Sequence, residues 1–208
     1  SLLLAWIIPP LVRKWCVMRT VVFDIETANW MSDIGSNDPA DLTIALVAIH
    51  DSETDSYSSY LEHELPELWK VLERTDILVG YNSDHFDIPL LNKYYPGDLT
   101  GIKSLDLMHE VYLAMGRRLK LDTIAEATLG EKKSADGAQS LRWWRAGDVE
   151  KVREYCLKDV ELTKKILDYA LAHQSLKYSE LGKPREVKLD TSKWLSGGSR
   201  AMTHTLGF

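Results

Sequence analysis

Short apolar runs alternate along this chain with stretches of helical period. Val21-Val22-Phe23 predicts a buried strand from Arg19 to Phe23 that runs into Asp24-Ile25-Glu26-Thr27. Leu42 to His50 reads as a strongly apolar strand, Asp51 to Thr54 as a turn, and Asp55 to Tyr60 as an exposed neighbouring strand. A helix is predicted over Glu64–Glu73 and a short strand over Ile77–Gly80. A turn at Asn82–Asp84 then leads into a helix starting near Asp84 to Asp87, with Pro89 tolerated in its first turn. A strand near Ile102–Leu105, a helix over Asp106–Met115 and a helix over Leu121–Leu129 closed by Gly130 follow. Glu131 to Gln139 reads as a loop. In the long helical pattern from Asp148 to Gln174, Val152, Cys156, Val160, Thr163, Leu167 and Ala170 recur as a buried stripe. Leu176–Leu181 and Arg185–Asp190 suit a β-hairpin around Gly182-Lys183-Pro184. Ser196 to Phe208 reads as a flexible tail. Strands interleaved with helices make this an α/β chain.

Acidic residues punctuate that pattern at three places. Asp24 and Glu26 are two apart on a strand, so they share a face. Like charges that close repel, and a hard divalent cation between them relieves the repulsion. The alternative is a strand that simply ends in an acidic turn. Asp87 lies just past a strand end near a helix N-terminus, where open α/β sheets place ligands. Its alternative role is to complement the helix dipole, and Asp84 is expected to be the helix N-cap. Tyr155 and Asp159 are four apart and share a face beside the buried stripe. An Asp there is costly unless paired or metal-bound. Its alternative is a partly exposed Asp paired with Lys158 or Lys151, with Tyr155 as a packing residue.

In order, Asp24-x-Glu26, Asn82-x3-Phe86-Asp87 and Tyr155-x3-Asp159 resemble the three motifs of the DEDD superfamily of 3′-to-5′ exonucleases. The resemblance is to the tyrosine branch, with the proofreading domain of family-B DNA polymerases and related stand-alone prokaryotic domains. The histidine branch would need His where Glu154 stands. The likeness runs from Arg19 to His173. It implies a ribonuclease-H-like fold: a mixed sheet of about five strands with helices on both faces. It implies a site in which Asp24, Glu26, Asp87 and Asp159 hold two divalent ions, Mg²⁺ or Mn²⁺. Asp24 would bridge them, Glu26 and Asp159 would complete the site of the water-activating ion, and Asp87 would hold the second. Tyr155 would orient the attacking water; its ordinary pKa near 10 suits positioning better than base catalysis. Thr27, Asn82 and Phe86 would border the terminal nucleotide. The substrate implied is single-stranded nucleic acid with a free 3′ end, DNA favoured over RNA. Asp106 is given a structural role.

Composition adjusts this picture in small ways. With 208 residues, 45% of them hydrophobic, the chain has material for one domain with appendages. The expected division is an extension or leader at 1–17, a catalytic domain at 18–175, a hairpin at 176–195 and a tail at 196–208. A net charge of −6 argues against a surface coated for non-specific duplex binding. Basic residues cluster at Arg117, Arg118 and Lys120, at Lys132 and Lys133, and at Arg142 and Arg145 around Trp143-Trp144. Basic residues interleaved with aromatics can hold single strands; the alternative is a Trp packed in the core with solvated arginines. Cys16 and Cys156 form no disulfide framework, which fits a reducing cytoplasm. The apolar run in residues 1–17 is broken by Pro9-Pro10 and is too short to span a bilayer, so no membrane is expected. Two other readings are weighed. One is a nuclease-like fold that only binds nucleic acid or protein. The other is a phosphatase with an Asp nucleophile, which would want Asp at position 26 and has no use for Tyr155 with Asp159.

Overall fold

The computed structural model describes residues 18–131 and 136–197, so the expectations for residues 1–17, for Lys132 and Lys133 and for most of the tail lie outside the described residues. The elements are β1 (Thr20–Thr27), α1 (Met31–Ile34), β2 (Ile44–Asp51), β3 (Ser56–Leu61), α2 (Leu65–Leu72), β4 (Ile77–Gly80) and α3 (Asp87–Tyr94). There follow β5 (Lys103–Asp106), α4 (Leu107–Met115), α5 (Leu121–Leu129), α6 (Gly137–Arg145), α7 (Val149–His173), β6 (Ser175–Glu180) and β7 (Lys183–Lys188). Five strands form one mixed sheet in the order β3-β2-β1-β4-β5, as the motifs imply. β2 pairs antiparallel with β1 and β3, while β1, β4 and β5 run parallel.

β1 lies at the centre of this sheet and extends beyond its predicted end. Its pairing with β2 continues through Asp24↔Ala48 and Glu26↔Leu46 before a register shift at Thr27↔Ile44. The acidic residues thus stay inside the ladder, because backbone pairing does not depend on the side chains that interrupt the apolar run. Val21, Phe23 and Ile25 face a core shared with Leu65, Leu68 and Leu72 of α2 and Leu90 and Leu91 of α3. Val22 faces the other core, built with α4, α5 and α7. Side chains alternate along a strand, so Asp24 and Glu26 continue the Val22 face, the side that α7 covers.

Several boundaries differ from expectation. Asp84 does not cap α3. That helix begins at Asp87 with Phe86 in the capping position and no side-chain cap bond. Helix α6 begins at Gly137, inside the stretch read as loop, because the Asp136 carboxylate accepts the Gln139 N–H at 2.9 Å and caps it. The C-terminal hairpin turns at Leu181-Gly182 instead of Gly182-Lys183-Pro184. Both turn residues have positive φ, 51° and 74°, the pairing whose twist matches two antiparallel strands joined by a two-residue loop. The hairpin buries Leu176 and Val187 in the second core, with β6 against α5 and α7 and β7 against α4, and Trp194 beyond it joins the same core.

One polar clamp fixes the start of β1. The Arg19 guanidinium grips Asp51 at the end of β2 with two bonds, 3.0 and 2.6 Å, and also pairs with Glu53 at 2.7 Å. Burial pushes the Asp51 carboxyl up, but the Arg19 hydrogen bonds and charge outweigh it and leave the group below its ordinary value. A depressed carboxylate stabilises the fold above its unfolded pKa of about 3.9, and the contribution is lost as pH falls through the lower folded value. Asp51→Asn should therefore cost roughly 1.5–3 kcal/mol at pH 7. Urea denaturation should show the gap between variant and parent closing as pH falls below about 4.

Candidate active site

All eight residues singled out from the motifs line one cleft of about 380 Å³: Asp24, Glu26, Thr27, Asn82, Phe86, Asp87, Tyr155 and Asp159. They come from three elements and one turn. Asp24, Glu26 and Thr27 stand at the C-terminal end of β1, where the register with β2 shifts between Glu26 and Thr27. Asn82 and Phe86 belong to the β4–α3 turn, and Asp87 is the first residue of α3. Tyr155 and Asp159 sit one turn apart on α7 and are buried, 4% and 3% exposed. The alternative of a partly exposed Asp159 paired with a lysine does not hold. Lys158 pairs with Glu131 and Glu161, and Lys151 with Asp148.

The turn that delivers Asn82 and Asp87 is tightly specified. Gly80 ends β4 under Ser83, and a Cβ at Gly80 would lie 2.4 Å from the Ser83 Cβ. Asn82 takes a left-handed conformation, φ 69°, which Asn tolerates better than most residues. The Asp106 carboxylate at the end of β5 accepts the backbone N–H groups of Asn82 (2.8 Å) and Asp84 (3.2 Å) across the sheet edge. The same carboxylate caps α4 through Met108 and His109. Asp106 thus has the structural role expected of it. Asp84 instead accepts a hydrogen bond from the Ser104 hydroxyl.

The site's electrostatics are those of an acidic cluster. Burial, then Asp24, Glu26 and Asp106, push the Asp87 carboxyl well above the ordinary range. Asp24 and Glu26 each offer an oxygen, and Cys156 its sulfur, with the three atoms within 4.8 Å of one another. Cys156 Sγ lies 3.4 Å from the Asp24 Oδ2 and from the Asp24 carbonyl. Burial and the Asp24 and Glu26 charges push the thiol pKa well up, so it stays protonated and donates to Asp24. The available ligands are then carboxylate oxygens, the donor type that hard divalent cations take. The residues fit such an ion.

Residues outside the motifs complete the walls. Trp30, Tyr81 and Gly137 line the cleft. Trp143 packs its ring edge-on against Tyr155, centroids 6.3 Å apart, and Arg145 pairs with Asp33 of α1 at 2.5 Å. The Trp143-Trp144 segment therefore buttresses the site: Trp143 holds Tyr155, and Arg145 at the end of the segment ties α6 to α1. Trp30 carries no periodic signal and could not have been found from spacing.

A family model described as the RNase_H superfamily matches residues 21–172. The chain belongs to the RNase_H superfamily. No curated protein matches its sequence. Among solved structures, it is similar to the family B DNA polymerase from the hyperthermophilic archaeon Pyrobaculum calidifontis, with a TM-score of 0.59 and 20% identity. That match covers 74% of this chain and 24% of the polymerase, so the chain spans about a quarter of the polymerase's length. At this identity the likeness is one of fold. Among the described residues no helix is long and apolar enough to cross a membrane.

The Asp106 bonds generate a direct expectation. Asp106→Ala should cost about 1–3 kcal/mol, because it removes a helix cap and leaves the Asn82 and Asp84 N–H groups without their acceptor. Chemical denaturation measures the loss. A stability equal to the parent's would remove Asp106 from the scaffold of the site.

Proposed function

We propose that this RNase_H superfamily chain is a 3′-to-5′ exonuclease of the tyrosine DEDD branch, acting on single-stranded nucleic acid and releasing nucleoside 5′-monophosphates. The observation that carries the reading is the convergence of four carboxylates and Tyr155, from β1, α3 and α7, on a single cleft. Asp24, Glu26, Asp87 and Asp159 would hold two divalent ions, Mg²⁺ or Mn²⁺, which when bound activate water and stabilise the leaving oxygen of a phosphodiester.

The chain's own residues supply position and shape. Tyr155, held edge-on by Trp143, lines the cleft, and its hydroxyl would orient the attacking water. Phe86 and Asn82 border the place of the terminal nucleotide, Phe86 offering an apolar surface and Asn82 an amide that can meet sugar or base. Thr27 closes the β1 side. With four carboxylates lining the cleft, a phosphodiester would be repelled from it without compensating cations.

The test is a set of linear and circular single-stranded oligonucleotides, the linear ones 5′-labelled, incubated with Mg²⁺, Mn²⁺, Ca²⁺ or chelator. Linear strands should shorten to a ladder from the 3′ end with Mg²⁺ or Mn²⁺. Ca²⁺, which accepts looser and higher coordination, should give little cleavage, and chelator none. A circular strand cut as fast as a linear one would reveal an endonuclease, and full activity in excess chelator would remove the ions from the reaction.

Two substitutions separate ligand from positioner. Asp159→Ala deletes a carboxylate that holds the cations, and turnover should fall on the order of a thousandfold or more. Tyr155→Phe keeps the ring against Trp143 and removes one hydroxyl, so the loss should be about ten- to a hundredfold with metal dependence unchanged. Single-turnover cleavage, with circular dichroism as the folding control, measures both. Parental rates for Tyr155→Phe would reduce the third motif to its aspartate.

A further inference from the structure

A second cleft, about 440 Å³, opens beside the acidic one and shares Tyr81, Asn82, Gly137 and Tyr155 with it. Its outer wall is the segment between α4 and α5, which carries Arg118 and Lys120. The run of basic residues seen in the sequence divides here. Arg117 turns away to pair with Glu180 of the hairpin at 2.6 Å and lies over the Tyr178 ring. Arg118 and Lys120 are exposed and form no ion pair among the described residues. Between them, the Leu119 carbonyl accepts a 2.9 Å hydrogen bond from the Tyr81 hydroxyl. Tyr81 directly precedes the motif residue Asn82, so one side chain ties the basic segment to the wall that both clefts share.

We propose that Arg118 and Lys120 form a phosphate-binding arm for the single strand whose end lies in the acidic cleft, gripping the backbone next to the terminal nucleotide. The inference rests on the nuclease reading and adds to it the side from which the strand approaches. The charge pattern supports it. The four acidic motif residues line the first cleft, whereas the second, which shares Asn82 and Tyr155 with it, is lined by two cations that form no ion pair among the described residues. Helix α5 starts at the same place, with Lys120 as its N-cap and no cap bond from that residue's side chain, so the helix dipole adds positive character there. Two carboxylates also line this cleft. Asp136 accepts the Gln139 N–H at the start of α6 and Asp122 lies in the first turn of α5, so both oppose a phosphate, and Arg118 and Lys120 have to outweigh them.

Three proteins test this: the parent, the double variant Arg118→Ala with Lys120→Ala, and Asp122→Asn. Binding of a fluorescent twelve-nucleotide thymidine strand is followed by anisotropy with Ca²⁺ over a range of salt. Turnover with Mg²⁺ is compared on that strand and on the p-nitrophenyl ester of thymidine 5′-monophosphate, which has no neighbouring phosphate. The double variant should bind the strand about tenfold or more weakly, with the salt slope reduced by about 1.4, two single-strand contacts at about 0.7 each. Its ratio of strand to ester turnover should fall by a similar factor, and Asp122→Asn should shift affinity the opposite way, which a folding defect would not do. Equal affinity and an equal turnover ratio for parent and double variant would overturn the arm while leaving the nuclease standing. A parent that turns over neither substrate would overturn the nuclease reading, and the salt slopes would then decide separately whether the strand lies on these residues.

Discussion

Mutual repulsion among carboxylates is the constraint on which this structure depends. Asp24, Glu26, Asp87 and Asp159 line one partly enclosed cleft, and the Asp87 carboxyl is driven upward by burial and by its neighbours. Such a cluster survives only where the scaffold is too well packed to relax away from it. The placement of β1 meets that need. It is the middle strand of five, paired along most of its length on one side and over its first residues on the other, and its apolar residues divide between two cores. The strand cannot shift to separate its two acidic side chains without breaking both.

The same logic explains the polar bonds around the site. Asp106 spends its charge on four backbone N–H groups, which fixes the β4–α3 turn that carries Asn82 and leads to Asp87. The protonated Cys156 thiol donates to Asp24, and Trp143 packs on Tyr155. None of these groups needs to meet a substrate. Each narrows the positions that a group in the cleft can take, which is what a site acting by orientation requires.

Periodicity made the sheet and the long helices legible, because apolar runs and helical stripes are local properties. The acidic motifs were legible as a set, because their order matched a family pattern that no single one of them could identify. What stayed hidden depends on contacts across the sheet. Asp106 caps its own helix through Met108 and His109, a local arrangement, but the chain itself gives no sign that the same carboxylate also holds the Asn82 and Asp84 N–H groups. Those bonds follow from the parallel pairing of β4 with β5, which brings Gly80 opposite Asp106. Cys156 was readable as buried, but its approach to Asp24 spans 132 residues. The division of Arg117 from Arg118 likewise follows from the hairpin supplying Glu180, which local sequence does not disclose.

The order in which the chain supplies the cleft also has a temporal side. β1 emerges well before its parallel partner β4 and the helix that covers its acidic face, so the contacts that define the cleft span large separations. Contacts of that kind close late, since the loop between them must be ordered first. Asp24 and Glu26 therefore spend the early life of the nascent chain as ordinary solvated carboxylates, far from Asp159. The cluster comes together only when α7 docks, so a ribosome-bound fragment that stops short of it carries an unfinished cleft.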